Sequence, residues 1–213
     1  MAVQYTKTLT VSNASTTAVA ALQAPTSGTA LTLASGAIPN TGQRPSLTSA
    51  ADLSGIDFTF VGLDAYGNAM TVVMAGPASN TVVMDRSMKS ITSITPNGTS
   101  ASQVSAGYAA EADLPLCPCD SRYDPTSISF AVHIVSGSPT FTARFTLENP
   151  NSVGYSGNSN WSPGTAVWFD NAAVSSKDAD ITGSYTTPVG ATSLYVSGAS
   201  VVQYTQLQAV SAQ

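Results

Sequence analysis

The sequence predicts an all-β protein, an antiparallel β-sandwich of jelly-roll-like character with almost no helix. Apolar and polar residues alternate with the period of a half-buried strand, as in residues 3–11 (VQYTKTLTV) and 140–147 (TFTARFTL). No stretch of the chain shows the helical period. Short extended runs are separated by turn residues throughout, which is typical of sandwiches and barrels.

The N-terminal half supplies the first predicted strands. Residues 3–11 form the first strand and residues 18–22 the second, and a short strand contains Leu31 and Leu33. The segment 36–45 holds prolines and glycines and is predicted to be a long loop.

The stretch from Ile56 to Tyr108 is predicted to be a β-meander around which the rest of the chain is organised. Four further extended runs, at residues 69–74, 81–84, 91–94 and 104–108, follow the alternating start of this stretch. Asn97-Gly98 is a dipeptide that adopts positive φ angles in tight hairpin turns, so a hairpin is expected there. We interpret the meander as a scaffold.

The C-terminal half contains the clearest hairpin of the sequence. Residues 128–135 and 140–147 alternate well and are separated by Gly137-Ser138-Pro139. Later strands are predicted at residues 166–169, 181–185, 193–196 and 201–207.

A change in composition after Tyr108 predicts the domain organisation. Acidic residues, prolines and both cysteines fall close together there, as expected of a linker or surface loop. The predicted division is an N-terminal β module at 1–110, a linker or surface loop at 111–126 and a C-terminal β-sandwich module at 127–213.

Charge and hydropathy argue against two classes of partner. Charged residues make up 9% of the chain, the net charge is −5, and the seven lysines and arginines are scattered singly. Without a basic stripe, no nucleic-acid partner is expected. No apolar run has the length of a membrane span and the N-terminus lacks the order of a signal peptide, so we expect synthesis in a cytoplasm and no membrane partner.

Cys117-Pro118-Cys119 is the motif that most resembles a reactive or metal-binding site. Zinc sites usually separate paired cysteines by two residues and add a second ligand pair, whereas here one residue intervenes. A disulfide at this spacing is strained. We interpret the pair as reduced cysteines on a loop, with a metal or redox role as the alternative.

Other polar residues do not form a catalytic pattern. His133, the only histidine, lies in a predicted strand without a nucleophile motif nearby. Asp178 and Asp180, with Asp170, offer oxygen ligands for calcium but lack the further ligands of a known loop, so a solvated loop is the favoured interpretation. The sequence therefore predicts no enzyme, no cofactor and no metal site.

Aromatic residues cluster in the C-terminal half. This group either fills a sandwich core, which is the favoured interpretation, or anchors a protein or carbohydrate partner near the loops. Its members are Tyr155, Trp161, Trp168, Phe169 and Tyr185.

Two stretches resemble virion structural proteins of tailed bacteriophages, of the head decoration (cement) and neck or tail accessory types. The first runs from Gly62, Asp64, Gly67 and Asn68 through VVMAGPASNTVVM to KSITSITPNGTSASQVSAGY. The second runs from Trp168 to the C-terminus and contains ITGSYTTPVGATSLYVSGASVVQYTQLQ.

The resemblance implies a capsid decoration protein that binds and stabilises the lattice of the major capsid protein. It implies a homo-oligomer, with a trimer favoured, located in the virion after synthesis in the host cytoplasm. Partner contacts are then expected at Tyr5 and Lys7, around Arg44, and in the loop from Tyr155 to Trp161. Two alternatives stay open: a neck, tail or fibre-attachment component, and a carbohydrate-binding β-sandwich that recognises a host surface.

Overall fold

The computed structural model describes residues 2–34, 38, 42–65, 67–114, 117–119, 125–147, 167–185 and 189–210. It confirms the all-β, sandwich-like class. Every strand pairing whose register is described is antiparallel. The helical structure in these residues is a single 3-10 turn, Ala172–Val174.

In the described residues, sixteen strands follow one another in chain order. They are β1 (Ala2–Val11), β2 (Ser15–Gln23), β3 (Pro45–Thr48), β4 (Asp57–Asp64), β5 (Ala69–Ala75), β6 (Thr81–Val83), β7 (Met88–Pro96), β8 (Val104–Tyr108), β9 (Glu111–Asp113), β10 (Cys117–Pro118), β11 (Pro125–Gly137), β12 (Thr140–Thr146), β13 (Phe169–Asp170), β14 (Ile181–Tyr185), β15 (Ala191–Ser197) and β16 (Ser200–Val210).

The chain divides into two compact units. The terminal unit comprises Met1–Val11 and Asp113–Gln213, and the central unit comprises Ser12–Ala112. In the terminal unit one sheet has the order β1-β16-β11-β14 and the other β10-β15-β12-β13. In the central unit the two sheets have the orders β2-β8-β3-β6 and β5-β4-β7.

The first strand belongs to the terminal unit because it pairs with the last one. Ten consecutive residues of β1 face β16, from Ala2 opposite Ala209 to Val11 opposite Ser200. Leu9 and Val11 are buried on the same side of the sheet as Val202 and Tyr204, so both strands contribute to one core. The predicted domain boundaries at 110 and 127 stay a prediction. That division assigns β1 and β16 to different modules, although the two strands pair.

The central unit has one core, to which both of its sheets contribute. In β4, Phe58 and Phe60 are fully buried while their neighbours are more exposed, as the alternation predicts. They pack in one cluster with Leu47 of β3 and Val104 of β8. The stretch 56–108 is therefore part of a sandwich.

The predicted meander is wrong in its connections. The strands of residues 56–108 do not pair in sequence order, because β4 lies between β5 and β7 while β6 and β8 both pair with β3 in the other sheet. The turn at Asn97-Gly98 differs as well, since neither residue has a positive φ. Instead the Asn97 side chain accepts a hydrogen bond from the backbone N–H of Asp57 at 2.8 Å, which satisfies the end of β4.

Two strand predictions need smaller corrections. The structure assigns no strand to Leu31 or Leu33, although the Leu31 N–H donates to the carbonyl of Ile94 at 2.8 Å and its side chain is buried. The strand predicted at 166–169 is β13, of which only Phe169–Asp170 is paired.

Candidate interaction surface

The terminal unit presents one broad, hydroxyl-rich surface, the solvent side of the sheet β1-β16-β11-β14. Outward residues of the four strands alternate with buried ones such as Leu9, Val132 and Tyr204. We call this surface the outer sheet face. It is formed by Thr6, Thr8, Thr10, Ser129, Ala131, Thr182, Ser184, Gln203, Thr205 and Leu207.

The strand registers align the outer sheet face in rows. One row crosses all four strands, because Thr6 lies opposite Thr205, Thr205 opposite Ala131, and Ala131 opposite Thr182. The hydroxyls of Thr6 and Thr205 are 3.2 Å apart and form a hydrogen bond. This row therefore presents three hydroxyls and one methyl group, without a formal charge.

A shallow open depression of about 460 Å³ lies over the outer sheet face. Ser129, Thr182, Ser184, Thr205 and Leu207 are among its lining residues. Its chemistry is that of hydroxyl groups beside one exposed leucine, which suits neutral polar partners rather than ions.

His133 lies on this face, opposite Gln203, and forms an exposed pair with Asp180. The His133 Nδ1 is 2.6 Å from one Asp180 carboxylate oxygen, and the Ile134 N–H donates to the other at 2.7 Å. The hydrogen bond from the Ile134 backbone, followed by that from the His133 side chain, lowers the pKa of Asp180. The carboxylate thus fixes residues before β14 to β11, which is a structural role.

The predicted contact residues Tyr5 and Lys7 lie together on β1. Tyr5 is half-buried and Lys7 is exposed, and the Lys7 ammonium lies 5.6 Å from the centre of the Tyr5 ring. Both share the side of β1 that carries Leu9, so they lie on the opposite side of the sheet from the outer sheet face.

The predicted contact residue Arg44 lies in the central unit. Its side chain is 12% exposed and one guanidinium nitrogen is 3.8 Å from a Glu111 carboxylate oxygen. Tyr155 and Trp161 lie outside the described residues. The structure therefore brings Tyr5 and Lys7 together, and contact with a partner stays a prediction for all five residues.

Tyr185 and Asp170, two of the remaining aromatic and acidic candidates, have structural contacts. Tyr185 is buried, with its ring centre 5.0 Å from that of Phe130. Asp170 accepts a hydrogen bond from Arg144 Nε at 2.9 Å. The same guanidinium reaches Asp113 at 3.2 Å and lies 4.6 Å from the Tyr195 ring centre. Arg144 therefore joins three parts of the terminal unit.

Cys119 lies in a buried polar network, and not on a surface loop as predicted. The Gln206 amide donates to the Cys119 sulfur at 3.6 Å, the Thr192 hydroxyl donates to Gln206, and the Tyr204 hydroxyl donates to Thr192 at 3.1 Å. In the part of the chain that the structure describes, no buried side-chain nitrogen or oxygen lacks a hydrogen-bond partner. The network is closed, which favours a structural role. The Cys117 side chain lies outside the described part.

We expect the Cys119 thiol to be unreactive at neutral pH. Burial raises its pKa to about 11 from 9.0, so the thiolate fraction near pH 8 falls about 100-fold. In a Cys117→Ser background, Ellman's reagent should label Cys119 only after denaturant is added. Rapid labelling of the native protein would contradict this expectation.

The same raised pKa predicts a loss of stability in alkaline solution. The neutral thiol stabilises the fold fully below pH 9.0, and this contribution declines as pH rises through about 11. Two pKa units correspond to about 3 kcal/mol at most. The difference in unfolding free energy between wild type and Cys119→Ala should therefore shrink above pH 9.0, whereas a constant difference would contradict the prediction.

The described residues hold neither a metal-binding cluster nor a membrane-spanning helix. Among the residues in the described ranges, no three His, Cys, Asp or Glu side chains lie close enough to hold a metal ion. In the same ranges, no helix is long and apolar enough to cross a membrane.

The chain has no match among protein-family models, curated proteins or solved structures. The outer sheet face is the feature that sequence reasoning missed. Its sequence signal is the threonine at every second position of β1, namely Thr6, Thr8 and Thr10. Their neighbours across the sheet became evident only from the pairing with β16.

Proposed function

We propose that the protein is a structural component of a tailed-bacteriophage particle, a capsid decoration (cement) protein that binds the lattice of the major capsid protein. The observation that carries the proposal is the outer sheet face, a hydroxyl-rich surface extending over four strands, on which the His133–Asp180 pair is the charged feature among the described residues. The resemblance of two stretches of the sequence to virion structural proteins supports the same assignment.

A hydroxyl-rich surface suits binding to a protein lattice. A hydroxyl group costs less to remove from water than a charge, and it regains a hydrogen bond when it meets a backbone or side-chain partner. Thr8 of β1 and Ser184 of β14 lie near opposite edges of the outer sheet face, and both are exposed.

Several copies of the outer sheet face, bound together, give a higher affinity than one copy alone. A homo-oligomer places several copies of the outer sheet face on a symmetric lattice, where linked weak contacts give strong overall binding. A trimer is the form that the resemblance favours. Tyr5, Lys7, Arg44, Tyr155 and Trp161 are the proposed additional contacts.

Copy number in purified particles of the virus that encodes the chain tests the proposal. Quantitative mass spectrometry should find hundreds of copies per particle, as expected for a protein that covers a capsid. A ring of about six to twelve copies would instead indicate the neck, tail or fibre-attachment alternative. Absence from the particles would overturn both assignments.

Surface variants test the outer sheet face directly. Thr8→Arg combined with Ser184→Arg introduces two charges and should weaken binding to particles at least 10-fold, because each charge must be desolvated against the lattice. Ala101→Arg, in an exposed loop of the central unit, is the matched control and should bind like wild type. Equal binding of all three proteins would exclude the outer sheet face as the contact.

The depression of about 460 Å³ favours a second candidate function, binding of a host-surface carbohydrate. Its hydroxyl groups and Leu207 offer hydrogen bonds and one apolar contact to a neutral sugar. A glycan array should then show binding that Ser184→Arg abolishes. Binding that is lost on Trp161→Ala and retained in Ser184→Arg would place a carbohydrate site elsewhere.

A further inference from the structure

Strand β5 is an edge strand without the usual protection against pairing with another chain. It lies at the edge of the sheet β5-β4-β7 and reads AMTVVMA, with no charge, glycine or proline. Its seven residues pair with β4 without a register shift, from Leu63 opposite Ala69 to Asp57 opposite Ala75. Straight, uncharged, apolar edges are the ones that pair readily with other strands.

The other long edge strands carry protective features. β1 contains Lys7, and β7 contains Lys89 and has two irregularities in its pairing with β4. β2 has register shifts against β8, and the Ala34 N–H donates to its Val19 carbonyl at 2.8 Å. Charges, irregular pairing and covering loops all hinder edge-to-edge association. In the described part of the chain, β5 has none of these features.

The sequence of β5 is nearly the same in both directions about Val72. In antiparallel pairing with its own copy, Ala69 faces Ala75, Met70 faces Met74, and Val72 faces Val72. Only Thr71 opposite Val73 departs from a palindrome, and these two β-branched residues have similar shapes. A second copy therefore offers β5 a partner that is matched at every position.

The exposure of the side chains agrees with such a partner. Val73 is 60% exposed in the middle of β5, and Val61 and Leu63 on the neighbouring strand are 37% and 38% exposed. All three lie on the solvent side of the sheet, while Met70 is buried on the core side. Adding a strand beside β5 would cover part of this apolar surface and satisfy the outer backbone groups of the edge.

We propose that two copies of the protein associate by antiparallel pairing of β5 with β5 across a two-fold axis. The pairing joins two three-stranded sheets into one six-stranded sheet. It is an isologous contact that makes dimers, and it is therefore distinct from the three-fold contact that a trimer requires. The contact follows from β5 itself and does not depend on the proposed capsid role.

A charge-exchange experiment tests the pairing. Wild type should form dimers of twice the 21.6 kDa chain mass in sedimentation equilibrium, with the dimer fraction rising between about 1 and 100 μM. Thr71→Lys with Val73→Lys should be monomeric, as should Thr71→Glu with Val73→Glu, because like charges then face each other across the axis. An equimolar mixture of the two variants should regain the dimer.

Val83→Lys is the matched control. Val83 is also an exposed valine, 39% accessible, in an edge strand of the central unit, but it lies in β6. This variant should dimerise like wild type. Circular dichroism spectra that match wild type will show that the β5 variants, whose changed residues are exposed, remain folded.

Three outcomes would overturn the proposal. The first is a wild-type protein that stays monomeric over the whole concentration range. The second is an oligomer, whether dimer or trimer, whose mass the paired lysine substitutions leave unchanged. The third is a mixture of the lysine and glutamate variants that remains monomeric.

Disulfide trapping tests the register. In a Cys117→Ser background, Thr71→Cys with Val73→Cys places thiols directly opposite each other across the axis, at a separation that a disulfide spans. Oxidation should give a covalent dimer in high yield, whereas Thr71→Cys alone should give little. Equal yields from the two variants would contradict this register.

Discussion

Replacing Gly107 with alanine is expected to destabilise the central unit by about 3 kcal/mol or more, beyond the usual cost of overpacking. Gly107 lies in β8, opposite Ser46 of β3, where the backbone of β2 passes directly over it. An added Cβ would lie 1.7 Å from the Ser15 carbonyl oxygen, and the other near atoms also belong to the β2 backbone.

The cost is large because a backbone must move. Cβ atoms essentially never approach other atoms closer than 3.0 Å, so β2 would have to shift by roughly 1.3 Å, the difference between 3.0 and 1.7 Å. Such a shift breaks the pairing of β2 with β8 near Ser15, which opposes Tyr108. Packed interiors do not accommodate displacements of this size without losing contacts.

Urea unfolding followed by circular dichroism will measure the loss, and hydrogen exchange of peptides from residues 12–112 will assign it to the central unit. Gly55→Ala is the control, because a Cβ on Gly55 meets nothing within 4 Å and its φ is not positive. It should change the unfolding free energy by no more than about 0.5 kcal/mol. Equal stability of the two variants would contradict the close approach at Gly107.

The positions of several strands were predictable from the sequence, whereas the close approach of β2 to Gly107 was not. Alternation predicted β4 and β12 because side chains of a half-buried strand point alternately to core and solvent, and extended apolar runs between turn residues predicted β5 and β11. It did not predict partners: β1 pairs with β16, so Thr6 lies beside Thr205, 199 positions away. Pairing depends on which apolar faces meet in the final core, and the local pattern does not specify this.

The two candidate surfaces could not be predicted from the sequence, because they too depend on strand pairing. Thr6, Thr182 and Thr205 are ordinary strand residues until the register places them in one row. The sequence of β5 was read correctly as a strand, but its position at a sheet edge depends on β4 lying between β5 and β7. Neither the outer sheet face nor the β5 edge is marked by a local sequence motif. The distinctive Cys-Pro-Cys motif, by contrast, contains Cys119, which is buried and has a structural role.

Replacing Gln43 with leucine is expected to destabilise the central unit by about 3 kcal/mol, since three partly buried backbone groups then lose their hydrogen-bond partners. Gln43 is fully buried. Its amide nitrogen donates to the carbonyls of Ser12 at 3.1 Å and Ala109 at 2.7 Å, and its side-chain oxygen accepts from the Ser12 N–H at 3.1 Å. This role was not predicted, because Gln43 lies in the segment 36–45 that was expected to be a loop.

The effect is large because a polar group that loses its hydrogen-bond partner inside a protein costs more free energy than a satisfied hydrogen bond contributes. Leucine fills a similar volume and gains apolar burial, but three backbone groups are left unsatisfied, each costing about 1–3 kcal/mol. Gln103→Leu is the matched control, because Gln103 is exposed, and it should change the unfolding free energy by no more than about 0.5 kcal/mol. Equal stability of Gln43→Leu and this control would contradict the prediction. Loss of the bond from the Ser12 N–H to Gln43 also predicts faster hydrogen exchange at the Ser12 amide, while the Ala109 amide, which donates to the Arg44 carbonyl, serves as the internal reference.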